Sequence, residues 1–98
     1  MSDKYILKGK KAVPVEDVLE WARWFETANR RVAKDNIGEA SISTVFLGID
    51  HNFFGGKPLL FETMIFGGKH NDYQDRYHTW EEAEAGHKKA VDLVKAKP

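Results

Sequence analysis

Residues Ser43 to Phe66 read STVFLGIDHNFFGGKPLLFETMIF, and the interpretation of this stretch decides the fold. Two β-rich apolar runs flank a loop that holds Asp50, His51, Phe53, Phe54, Gly55, Gly56 and Pro58. Strand-forming residues bounded by Gly, Asn and Pro on this spacing predict an antiparallel hairpin with a loaded tip. In the first arm, predicted over Ala40 to Asp50, Val45, Leu47 and Ile49 point one way and Ile42, Thr44 and Phe46 the other. Both faces are therefore partly covered, or one is a sticky surface. The second arm, Leu59 to Phe66, is interrupted only by Glu62 and Thr63.

Upstream, Tyr5-Ile6-Leu7 suits an edge strand ending in the turn Lys8-Gly9-Lys10-Lys11. Pro14 then precedes a helix predicted from Val15 to about Asn29, where its missing N–H costs nothing. Val15, Val18, Ala22, Phe25 and Asn29 lie on one stripe at 3.6-residue spacing, with Trp21, Leu19 and Ala28 at its margins and Trp24 at the edge of its apolar part. Glu16 and Asp17 in the first turn and Arg30 and Arg31 in the last complement the helix dipole. Arg31 to Lys34 reads as a short strand, and Asp35-Asn36-Ile37-Gly38 as a turn.

Downstream, Gly67 to His78 is a long polar connection. Thr79-Trp80-Glu81-Glu82 matches a capping box, opening a helix to about Ala96 with Trp80, Ala83, His87, Ala90, Val91 and Val94 on one face. The element order is β-α-β-β-β-α. Two amphipathic helices need a cover, and one face of the antiparallel sheet supplies it. The expectation is a single α+β domain over 1–98, a two-layer sandwich with a three- or four-stranded antiparallel sheet and two helices on one face.

Composition narrows function mainly by exclusion. With 98 residues, 42% apolar and 12% aromatic, the chain supports one modest core and is too apolar to be disordered. Fifteen basic against 15 acidic side chains provide no long-range field for nucleic acid or an anionic membrane. The absence of cysteine removes thiolate chemistry and fits a reducing compartment. The amino-terminal stretch MSDKYILKGKK has no signal-peptide core, and no apolar run is long enough to span a membrane, so the expected location is the cytoplasm.

Among the chemistry-bearing residues, His87 lies in the apolar stripe of the second helix, so its ring nitrogens need partners. A core histidine bonded to a backbone carbonyl or to a carboxylate such as Glu62 competes with a ligand-binding role. Asp50, His51, Glu62 and His87 are the set from which a hydrolytic or metal-binding site would be built. His70, Asp72, Asp75 and His78 match no metal-ligand spacing, and no serine stands in a G-x-S-x-G setting. No cofactor or metal is expected. The pairs Gly55-Gly56 and Gly67-Gly68 lack the phosphate-loop frame and read as turns. The helix–strand–strand–strand–helix order resembles a double-stranded RNA-binding domain. There a basic cluster opens the last helix, whereas this chain places Glu81, Glu82 and Glu84. Phe53 and Phe54 at the tip, with Trp24 and the adjacent Asp50 and His51, are the candidate binding residues for a protein partner or a homodimer.

Four segments together, WARWFETANRRVAKDNIG, STVFLGIDHNF, GGKPLLFETMIFGG and DRYHTWEEAEAGHKKAV, resemble a widespread group of small uncharacterised proteins of bacteriophages and prophages. The pattern runs R-R-V-A, S-T-V-F-L-G-x-D-H, L-F-E-T-M and R-Y-x-T-W-x-E-A-x-x-G-H, and it covers nearly the whole chain. The resemblance implies phage ancestry and residence in the bacterial cytoplasm. It also suggests that Asp50, His51, Glu62, Thr63, Arg76, Tyr77, Gly86 and His87 belong to the family pattern. The chain departs from that pattern at Phe54, where a second glycine or another small residue is usual.

Overall fold

The computed structural model describes residues 3–96 and shows an α+β fold. In chain order the elements are β1 (Tyr5–Lys8), β2 (Lys11–Pro14), α1 (Val18–Thr27), β3 (Arg31–Ile37), β4 (Ala40–Phe46), β5 (Phe61–Phe66), β6 (Gln74–Tyr77) and α2 (Trp80–Lys95). Strands β3-β4-β5-β6 form one antiparallel sheet in that order, and β1-β2 form a separate two-stranded hairpin. Among the described residues no helix is long and apolar enough to cross a membrane.

Two strands depart from the sequence expectation. Lys11–Pro14 is the return arm of β1, with Tyr5 opposite Pro14 and Lys8 opposite Lys11 across the turn Gly9-Lys10. In a two-stranded ribbon Pro14 sits on an edge, where its lack of an N–H breaks no ladder. The helix accordingly starts later than Val15. Asp17 is its N-cap, accepting from the Leu19 amide at 2.9 Å. The other addition is β6, inside the stretch expected to be a polar loop. Gln74–Tyr77 carries one inward apolar residue, Tyr77, so an edge strand of this kind has almost no hydrophobic signal to show.

Of the turn expected at Asp35–Gly38, Asp35 to Ile37 are strand and Gly38 alone lies in the turn. β3 runs to Ile37, which pairs with Ala40, while Asp35 pairs with Ile42. The hairpin arms are shorter than predicted. β4 ends at Phe46 and β5 starts at Phe61, although Leu47 N still reaches Leu60 O and His51 N reaches Leu59 O.

On β4 burial alternates strictly. Ala40, Ile42, Thr44 and Phe46 are buried, and the residues between them are half-exposed. The buried row and its partners Ile65, Thr63 and Phe61 on β5 lie under α2, which touches all four strands. Helix α1 reaches the same face at one end, where Trp24 packs edge-on against Phe46 at 5.7 Å between ring centres. Phe46, Phe61 and Trp80 extend this aromatic row at 5.2 and 6.2 Å, each pair contributing about 0.5–1.5 kcal/mol beyond simple burial.

The packed stripe of α1 is Trp21, Trp24 and Phe25, whereas Val18 is 55% and Leu19 is 66% exposed. The expected stripe was turned because Val15, counted as helical, belongs to the preceding segment, where its amide bonds Lys4 O. Arg30 and Arg31 lie beyond the helix. Arg30 stacks on Phe25 and donates to Phe46 O, and Arg31 opens β3.

Candidate functional site

Beneath α2 a line of polar side chains crosses the core. Asp35 Oδ2 lies 2.8 Å from His87 Nε2, His87 Nδ1 lies 2.7 Å from Thr44 Oγ1, and Thr44 Oγ1 lies 2.5 Å from Thr63 Oγ1. An ionised carboxylate only accepts, so Nε2–H donates to Asp35. In the neutral ring Nδ1 then accepts from the Thr44 hydroxyl, which in turn accepts from Thr63. The order carboxylate, imidazole, hydroxyl matches that of a nucleophilic triad. Burial argues against such chemistry, because Thr44 and Thr63 are 0% exposed and no substrate carbonyl reaches them. The arrangement fixes how α2 docks on the sheet.

Glu62, one of the partners considered for His87, faces the other side of the sheet. There it accepts from Arg76 Nε at 2.8 Å and from Gln74 Nε2. Its neighbours in the register, Val45 on β4 and Arg76 on β6, place it one residue out of phase with the Thr44–Thr63 pair. The Tyr77 hydroxyl is buried beside that of Thr63, with no well-formed hydrogen bond. Burial raises the Tyr77 phenol above the usual tyrosine range. The nearby Thr63 hydroxyl tempers the rise, and the Asp75 carboxylate adds to it. Gly86 on α2 makes room for this ring, since a Cβ there would overlap the phenol.

The tip loop is organised by its own polar residues. Asp50 Oδ1 accepts from the Asn52 and Leu59 amides at 2.8 and 3.0 Å. Asn52 bridges to Lys57 O and to the Phe54 amide. His51 Nδ1–H donates to Ile49 O at 2.8 Å, and its ring lies 6.2 Å from that of Phe53. The base of the loop is tied to the amino-terminal hairpin through Tyr5 N to Gly48 O and Asp50 N to Asp3 O. Gly48 adopts a left-handed φ of 79°, and Phe25 packs where a side chain would stand. From this anchored frame Phe53 projects 81% exposed and Phe54 100% exposed. Trp24, expected beside them, belongs to the core against Phe46.

Asp50, His51, Glu62 and His87 are thus not brought together. Two hold the loop, one lies on the open face of the sheet and one lies under α2. Among the described residues no three His, Asp or Glu side chains gather as they would to hold a metal.

A cleft of about 570 Å³ opens between the β1–β2 turn, the end of the tip loop and the start of α2. Lys8, Lys10 and Lys11 line it together with the half-exposed Tyr5, Ala12, Pro58, His78 and Trp80, and Leu60 and Phe61 lie buried beneath. His78 Nδ1–H donates to Pro58 O at 2.8 Å, which leaves Nε2 as the ring's other polar atom. The indole N–H of Trp80 is buried without a partner.

Sequence reasoning missed the cleft because its parts come from three distant segments. The one available signal was the K-G-K-K run, which reads locally as an ordinary turn. Asp35 was missed for a related reason, since an Asp-Asn pair ahead of glycine has the composition of a turn. No protein-family model, curated protein or solved structure matches the chain.

Proposed function

We propose that the chain is a small phage-encoded accessory protein that acts by binding another protein, with the Phe53–Phe54 tip as the anchor. The phage origin rests on the sequence resemblance. The binding role rests on one observation: Phe54 is fully exposed and Phe53 nearly so, on a loop whose backbone is already fixed by Asp50 and Asn52. Large aromatics left in water lose the benefit of burial, and a preorganised loop loses little entropy when a partner covers it. Aromatic anchors of this kind dominate binding energies at interfaces.

The test is affinity capture from bacterial lysate together with sedimentation of the pure protein, comparing wild type with Phe53→Ser/Phe54→Ser. The wild type is expected to retain a specific host or defence protein, or to self-associate, and the double variant to do neither. A wild-type protein that stays monomeric and captures nothing, or a variant that captures the same partner equally well, refutes the reading.

A further inference from the structure

The cleft beside the tip carries a separate implication. Lys8, Lys10 and Lys11 crowd one turn and its flanking strand ends, and among the described residues none of the three has a carboxylate within salt-bridge distance. Lys10 Nζ stands 5.9 Å over the ring of Trp80. Like charges held together without counter-charges repel one another, and an anion relieves that repulsion. Opposing them, Glu81 is the one carboxylate lining the cleft. Glu82 lies nearby but is engaged in the capping box with Thr79. In that box Glu82 Oε1 accepts from the His78 and Thr79 amides and Thr79 Oγ1 from the Glu82 amide, so the start of α2 already carries a carboxylate of its own.

The volume of about 570 Å³ falls in the range of small-molecule sites, roughly 300–1,000 Å³. Its accessible apolar floor comes from Tyr5, Ala12 and Pro58, with Leu60 and Phe61 buried beneath, and Trp80 in its wall carries a buried donor with no acceptor. No arginine lines it. Clustered lysines present point charges suited to a phosphate dianion, whereas planar carboxylates are better matched by the guanidinium fork.

We propose that this cleft binds a small amphiphilic phosphomonoester, with the phosphate among Lys8, Lys10 and Lys11 and a flat apolar body laid against Tyr5, Pro58 and Trp80. The assignment is independent of the protein-binding tip.

The test is nuclear magnetic resonance titration of the whole ¹⁵N-labelled protein with 1-naphthyl phosphate, 1-naphthol and inorganic phosphate. The readout is the Trp80 indole N–H peak, assigned with Trp80→Phe. Naphthyl phosphate is expected to move that peak saturably, with a dissociation constant about tenfold or more below those of the other two probes. Replacing all three lysines with serine, at exposed positions, is expected to weaken binding by about tenfold or more while the α2 amide shifts stay in place. Glu81→Gln, which removes the opposing carboxylate, is expected to tighten it. Equal binding of naphthol shows that the head group plays no part, and equal binding of phosphate shows the same of the floor. Either result overturns the proposal, as does a still Trp80 peak, an undiminished triple-serine protein or weaker binding by Glu81→Gln.

Discussion

Midway along β4 and β5, Thr44, Thr63 and His87 form a line that is paired and shut from water, and its outer end is the half-exposed Asp35 carboxylate. At the tip of the same two strands, Asp50 and Asn52 direct their acceptors into the loop's own backbone, while Phe53 and Phe54 stand in solvent. Polar groups are inside and apolar groups outside, the reverse of the usual partition. A buried polar line is tolerated only when complete, because one unpaired member costs about 1–3 kcal/mol. An exposed aromatic pair costs the fold little in itself and becomes useful when something covers it. The residues with the most chemistry in their side chains therefore perform structural work here, and the exposed surface is where interaction is to be sought.

The strongest way to break this contrast lies in the docking of α2. At Gly86 helix propensity alone favours alanine by about 1 kcal/mol. The new methyl would overlap the buried Tyr77 ring, and α2 cannot retreat without disturbing the His87 line it carries. Gly86→Ala is expected to destabilise by about 3 kcal/mol, the upper end of overpacking penalties. Urea unfolding measures it, and an unchanged or raised midpoint would mean that α2 rides higher on the sheet than described.

Thr44→Val comes next. It preserves shape but leaves the His87 Nδ1 atom and the Thr63 hydroxyl without their partner, and a loss of about 2 kcal/mol is expected. In a His87→Leu background the same change should cost markedly less, because one partner is already gone. Additive losses in this double-mutant cycle would show that the line does not act as a unit.

The sequence made some of this legible and hid the rest for physical reasons. The α2 face was readable because Ala83, His87, Ala90 and Val94 keep a helical period and Thr79 with Glu82 gives a capping signal, and both features stand in the fold. The burial of His87 followed from the same period. Its partner did not, because Asp35 is distant in the chain and sits in a stretch with turn composition. Glu62 could not be placed, because one residue of strand phase decides which face a side chain takes. The exposure of Phe53 and Phe54 could be suspected from an apolar pair among glycines. The burial of Trp24 could not, since it depends on Phe46 being directly beneath it.

Tyr77→Phe sharpens the contrast in the opposite direction, since Tyr77 is the neighbour that the polar line leaves out. Its hydroxyl is buried with no well-formed hydrogen bond, so removing it relieves a desolvation cost. Stability is expected to rise by about 1 kcal/mol at neutral pH. The phenol's pKa is raised in the fold, first by burial. Stability is therefore fully present below the ordinary tyrosine value of about 10 and falls as pH climbs from there through the folded value. The variant should lose part of that alkaline decline and keep the part due to Tyr73, which burial and then Asp75 raise as well. A less stable Tyr77→Phe protein would show that the hydroxyl has a partner, which Thr63 is placed to be.

The smallest stability effect is expected where the functional effect is largest. Phe53→Ser/Phe54→Ser removes two rings that are 81% and 100% exposed, and the bonds that hold the loop run through Asp50, Asn52 and the backbone. Neither phenylalanine side chain contributes to them. Thermal and urea unfolding should therefore stay within about 0.5 kcal/mol of wild type, as for other surface substitutions, while partner capture is lost. The contact between the His51 and Phe53 rings is the one place where this independence can fail. A loss of more than about 1 kcal/mol would mean that Phe53 braces the loop through His51, leaving Phe54 alone as the anchor. Phe54→Ser by itself separates the two cases, because it keeps the His51 contact. It should abolish capture with no cost in stability if the tip is built to be covered by another molecule.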